Sequence, residues 1–213
     1  MIQAPRLVPD AWRRPGSFVA IVGLGKSGVA AARLLAREGV RVYASDASDH
    51  PYAGAAAEAL KGLPWVDVEI GRHDLGRIRH AASVVVSPGV PPDAPVLTAA
   101  RHAGVEIVSE LDLGFRALGA LQPGTHSIAI TGTNGKTTTT ALVAHLLSAA
   151  GLASTTAGNI GRPVTDLAMA DERYQWISLE VSSFQLHDSP NFAPNVGVLT
   201  NLAPDHLDRY PSV

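Results

Sequence analysis

The residues best suited to chemistry lie in Thr131-Gly132-Thr133-Asn134-Gly135-Lys136-Thr137-Thr138. They follow a short apolar run, Ser127 to Ile130, which reads as a buried parallel strand. Glycine tolerates backbone dihedrals that a Cβ forbids, so Gly132 and Gly135 let successive N–H groups turn toward one anion. Lys136 adds a positive charge and Thr137 a hydroxyl suited to Mg²⁺. From Thr137 the pattern predicts a helix to Ala150, amphipathic through Leu142, Leu146 and Leu147, with its N-terminus facing the same anion. The strict spacing G-x-x-x-x-G-K-[ST] is not met, because Ile130 stands where the first glycine belongs. An ordinary turn would account for Asn134-Gly135. It would not account for Lys136 at a helix start, where a cation opposes the dipole unless an anion is present.

Further along, Glu180 ends an apolar, β-rich run, Tyr174 to Val181, where a carboxylate buried alone would cost several kcal/mol. A surface position is one reading; a direct or outer-sphere Mg²⁺ ligand beside the phosphate loop is the other. His206, between Asp205 and Asp208, reads equally as a surface or capping residue and as a metal ligand.

A second glycine cluster precedes these. Phe18 to Val22 reads as a buried strand, followed by Gly23-Leu24-Gly25-Lys26-Ser27-Gly28, a helix from Val29 to Arg37, and a strand from Val40 to Ser45 ending at Asp46. Strand, G-x-G-x-x-G, helix, strand and an acid about twenty residues on is the Rossmann fingerprint for a diphosphate. Tight strand-to-helix packing with no ligand is the competing explanation of the glycines. Ser87-Pro88-Gly89 follows another strand, Ser83 to Ser87, on the edge where open α/β sheets bind ligands.

The elements that must position these residues alternate. Strands are predicted at 65–70, 105–108, 154–157 and 195–200, and a helix over 95–103, which makes the fold class α/β. Residues 1–16 read as a loose lead-in. Leu118 to Gly124 reads as a linker, dividing a Rossmann-like domain (1–122) from the first part of a phosphate-loop α/β domain (123–213). With 213 residues, 46% of them hydrophobic and 17% charged, a sizeable core is affordable. A net charge of −2 points to no nucleic-acid or membrane partner. The absence of cysteine excludes disulfides and thiolate metal sites. With no apolar run of membrane-spanning length and no signal-peptide pattern, a cytoplasmic monomer is expected.

The loop Thr131 to Thr137 resembles that of the Mur ligase family, in which the shortened glycine spacing is usual. Gly158-Asn159-Ile160-Gly161, Leu179-Glu180-Val181-Ser182-Ser183-Phe184-Gln185-Leu186 and Asp205-His206-Leu207-Asp208-Arg209-Tyr210 are similar to motifs of its D-glutamate-adding branch. The resemblance covers nearly the whole chain, and it implies a fragment: one whole domain and half of the next. It implies ATP-dependent joining of D-glutamate to UDP-N-acetylmuramoyl-L-alanine through an acyl phosphate. Lys136 and the loop from Gly132 to Thr138 would hold ATP, with Thr137, Glu180 and His206 on Mg²⁺; Lys136, Glu180 and His206 would be catalytic. Gly25, Lys26, Ser27, Asp46, Ala47, Ser87, Pro88, Gly89 and Asn159 would hold the UDP-substrate. The family often has Thr at the position of Ala47, so a side-chain hydrogen bond is lost there. Two rivals remain at this point: a nicotinamide enzyme, against which the second phosphate loop counts, and a non-catalytic nucleotide-binding module.

Overall fold

A computed structural model describes residues 7–205. Two wholly parallel sheets carry the fold. The first is built from β1 (Val19–Val22), β2 (Val42–Asp46), β3 (Val66–Ile70), β4 (Ser83–Val86) and β5 (Ile107–Ser109), in the order β3-β2-β1-β4-β5. The second holds β6 (His126–Thr131), β7 (Ser154–Gly158), β8 (Trp176–Glu180) and β9 (Val196–Leu199), in the order β7-β8-β6-β9. The helices are α1 (Lys26–Arg37), α2 (Pro51–Leu60), α3 (Leu75–Ile78), α4 (Pro95–His102), α5 (Glu110–Leu121), α6 (Lys136–Ala149), α7 (Val164–Met169) and α8 (Ser183–His187).

The unbroken apolar runs follow from burial on both faces of the first sheet. Val19 and Ile21 pack in one cluster with Leu34 and Leu35 of α1, while Ala20 and Val22 pack in a second with Ile78, Leu97 and Ala100. The first cluster continues through Leu111, Leu113 and Leu118 of α5 and Val164 and Leu167 of α7 to Ala129, Ile177 and Leu179 of the second sheet. One core therefore serves both sheets.

Polar groups fix the same junction. Glu110 Oε1 accepts from Thr165 N (2.8 Å) and Thr165 Oγ1 (2.7 Å), satisfying a donor that the start of α7 leaves open. Gln122 Nε2 donates to the carbonyls of Leu167 (2.9 Å) and Ala168 (3.3 Å) at the other end of α7. Asp112 Oδ1 accepts from Asn191 N at 2.8 Å. A Cβ on Gly114 would stand 2.7 Å from both Thr165 N and Val164 Cβ, so glycine is what lets α5 and α7 cross this closely.

Three sequence expectations are corrected here. The lead-in is anchored: Leu7, Val8 and Trp12 are buried, and Asp10–Arg13 form a 3₁₀ turn. Leu118 to Leu121 are the last turn of α5 rather than linker, because Leu118 packs in the shared core. The leucines of α6 do not form a buried stripe. Thr140 is the buried residue of that helix, whereas Leu142 and Leu146 are 52% and 57% exposed.

Candidate functional site

Strand order places the first site. With β1 beside β4, the chain winds outward in both directions from between them, and ligands bind at such switch points beyond the carboxyl ends of the strands. The glycine loop leaves β1 there and Ser87-Pro88-Gly89 leaves β4. Together they border a cleft of about 830 Å³, lined by Gly25, Lys26, Ser27, Asp46, Ala47, Ser87, Pro88 and Gly89 among others. Eight residues singled out for the UDP-substrate thus meet in one concavity. Asn159, the ninth, lies elsewhere.

The glycines are also explained locally. Gly28 is needed for packing, since a Cβ there would lie 2.0 Å from Gly23 O. Gly23 has φ +89, and Ser87 Oγ donates to its carbonyl at 2.8 Å, locking the two loops together. Asp46 holds the loop from below: Oδ2 accepts from Leu24 N (2.7 Å), and Oδ1 from Ser48 N (2.8 Å) and more weakly from Tyr52 Oη (3.5 Å). Helix α1 starts without a side-chain cap or an acid in its first turn, and with Lys26 at its first position. Its open N–H groups and that cation both favour an anion.

His73, just past β3, went unnoticed in the sequence. It lines the same cleft, and its Nδ1 is 2.8 Å from Ser45 Oγ. Burial lowers its pKa below the ordinary histidine value, against the pull of Asp46 and Glu69. A lone histidine in a loop gives no sequence signal; the pairing of β3 with β2 is what carries it to Ser45.

The second site forms at the carboxyl edge of the other sheet. The phosphate loop leaves β6, and Glu180 ends the neighbouring β8. The side chain of Glu180 is buried, 2% exposed, and its two oxygens are divided. Oε2 accepts from Thr137 Oγ1 at 2.7 Å and Oε1 from Asn159 Nδ2 at 2.9 Å. Of the two sequence readings of Glu180, the surface position is excluded. Asn159 therefore joins the phosphate-loop cluster. The turn holding it docks on the end of β8, where Asn159 N donates to Glu180 O and a Cβ on Gly158 would lie 2.3 Å from that carbonyl.

Helix α6 repeats the electrostatics of α1: Gly135 as N-cap, no side-chain cap, no acid in the first turn, and a lysine at the first position. Lys136 Nζ lies over the loop and donates to Gly132 O (2.7 Å) and Thr133 O (3.0 Å). The segment after β9 clasps the loop from outside. Thr133 N donates to Asn201 O (3.1 Å), Asn134 N to Asn201 Oδ1 (3.0 Å), and Thr200 Oγ1 to Asn134 O (2.7 Å). Gly132, at φ +133, is required by this clasp, because a Cβ would sit 2.2 Å from Thr200 Oγ1. Two loop N–H groups, those of Thr133 and Asn134, are thereby committed to protein.

The donor set is a hydroxyl, a carboxylate and a lysine. No group of three or more His, Cys, Asp or Glu able to hold a metal occurs among the described residues. Thr137 Oγ1 and Glu180 Oε2 are oxygens of the kind a hard cation takes. His206, with Asp208, Arg209 and Tyr210, lies outside the described residues. No helix among them is long and apolar enough to cross a membrane.

Comparison with known proteins bears on both sites. Residues 17–109 match the family model described as Mur ligase MurD-like, N-terminal domain, and residues 130–213 match Mur ligase middle domain. A UDP-N-acetylmuramoylalanine--D-glutamate ligase of Frankia casuarinae is 46% identical over 91% of the chain and 40% of its own length. The protein of that name in Geobacter metallireducens is 44% identical over 92% of the chain and 42% of its own length. The chain thus spans about two fifths of such relatives. In fold it is similar to UDP-N-acetylmuramate-alanine ligase MurC from Thermotoga maritima (TM-score 0.52, 24% identity, covering 92% of this chain and 44% of that one).

Proposed function

The chain belongs to the Mur ligase family, and we propose that it supplies the nucleotide-substrate site and the phosphate loop of a cytoplasmic ligase joining D-glutamate to UDP-N-acetylmuramoyl-L-alanine. The observation that carries this reading is the pairing of two candidate anion sites in one chain: the cleft at the first switch point, and the Thr137–Glu180 pair beside an uncapped α6. Identities of 44–46% to proteins named as D-glutamate ligases support this choice of substrate class.

In this reading the γ-phosphoryl group of ATP passes to the alanyl carboxylate, giving ADP and an acyl phosphate. The amine of D-glutamate then attacks the acyl carbon, an amide bond forms, and phosphate leaves. Lys136 neutralises phosphate charge, moving from the loop carbonyls it now contacts. The N–H groups opening α6 orient the transferring group, and catalysis is mainly positioning and electrostatics. Thr137 and Glu180 would hold Mg²⁺, which supplies further charge neutralisation on the phosphates. Asn159 sets the orientation of Glu180, and the first cleft anchors the UDP end.

The test is ligation by a polypeptide carrying this chain at the full length of its relatives. Phosphate release should require both UDP-N-acetylmuramoyl-L-alanine and D-glutamate. Release that is indifferent to the amino acid, or supported as well by L-glutamate, would overturn the assignment.

A further inference from the structure

A cleft that takes a nucleoside diphosphate needs polar groups to choose the base, and those the sequence offered are largely committed. Asp46 already accepts from Leu24 N, Ser48 N and Tyr52 Oη, and Ala47 has only a methyl group. His73 is different. Its Nδ1 is bonded to Ser45 Oγ, and its Nε2 has no hydrogen-bond partner among the described residues. Ser45 is fully buried on β2, so the ring is held by a rigid strand.

The position also suits a base. From the glycine loop on β1, the route across Asp46 on β2 reaches His73 beyond β3, the direction in which a nucleoside extends from phosphates at the start of α1. Tyr52, on the first turn of α2 and 49% exposed, borders the same cleft with a ring on which a base can stack.

We infer that His73 is the base-selecting residue of this cleft, its Nε2 accepting the imide N–H of a uracil. The tautomer required is the one in which Nδ1–H donates to Ser45 Oγ and the lone pair is on Nε2. Cytosine presents an acceptor where uracil presents N3–H, so the site should reject it. A site built to hydrogen-bond one group discriminates strongly against an analogue lacking it. The inference rests on the cleft being the UDP site.

Calorimetry of this chain with UDP, CDP and ADP tests it. The unaltered chain should favour UDP over CDP by roughly tenfold or more. His73→Ala should weaken UDP by a similar factor, leave CDP unchanged, and bring the two within about twofold. Ser45→Ala, which frees the ring without removing it, should erode the preference in part, and melting curves report whether each variant folds. A His73→Ala chain that keeps the full UDP preference, or that loses UDP and CDP equally while folded, overturns the inference. The phosphate loop is itself expected to take ADP, so the reading of the cleft is tested by competition: ADP that displaces bound UDP as well as unlabelled UDP does, in a Lys136→Ala chain, would instead bring down that reading.

Discussion

Lys136 and Glu180 make opposite local bargains. Lys136 contacts only loop carbonyls, which solvent can satisfy, so its removal should cost the fold little. Lys136→Ala is expected to lower affinity for ATP or a non-hydrolysable analogue by about tenfold or more, with the melting midpoint unmoved; titration and melting of the same sample check both. Glu180 joins Thr137 to Asn159 from a buried position, and Glu180→Gln keeps an acceptor but not the charge. That variant should melt near the parent and lose the Mg²⁺ dependence of analogue binding. At this scale the loop was legible, because glycine and a lysine at a helix start leave a sharp chemical pattern. The bond from Asn159 to Glu180 and the clasp of Thr200 and Asn201 were not, since each joins residues distant in sequence through strand order alone.

At the scale of elements, the bond between α5 and α7 is the distinctive feature. Burial pushes the Glu110 carboxyl above the usual carboxylate range, against the two donors of Thr165 that favour ionisation. The folded chain therefore keeps a proton that the unfolded chain has released. This contribution is fully present below the ordinary value of 4.5 and is lost as pH rises through the raised one. Glu110→Gln retains the acceptor for Thr165 and cannot ionise, so melting midpoints should fall with rising pH for the parent relative to this variant. Glu110→Ala strips both Thr165 donors and should cost about 1–3 kcal/mol by denaturant unfolding. The strands of the first sheet were readable because two buried faces force unbroken apolar runs. Helices α2, α5 and α7 were not read. Beside their buried leucines they bury small or polar residues, Ala53 and Ala56 in α2, Gly114 and Glu110 in α5 and Thr165 in α7, whose burial depends on a partner helix rather than on periodicity.

For the molecule as a whole, one core and the polar bonds at both ends of α7 join the two sheets. The α/β class and the two glycine loops were visible in sequence; the continuity of the core was not, because a Pro-Gly turn looks the same whether or not helices pack across it. The central claim is that the first cleft serves a UDP-sugar peptide rather than a dinucleotide. Calorimetric titration of the chain with UDP-N-acetylmuramoyl-L-alanine and, separately, with NAD tests it most directly. The UDP-substrate should bind at least about tenfold more tightly, with the heat abolished by Gly28→Ala, whose Cβ cannot fit beside Gly23 O. Tighter binding of NAD than of the UDP-substrate would contradict the account.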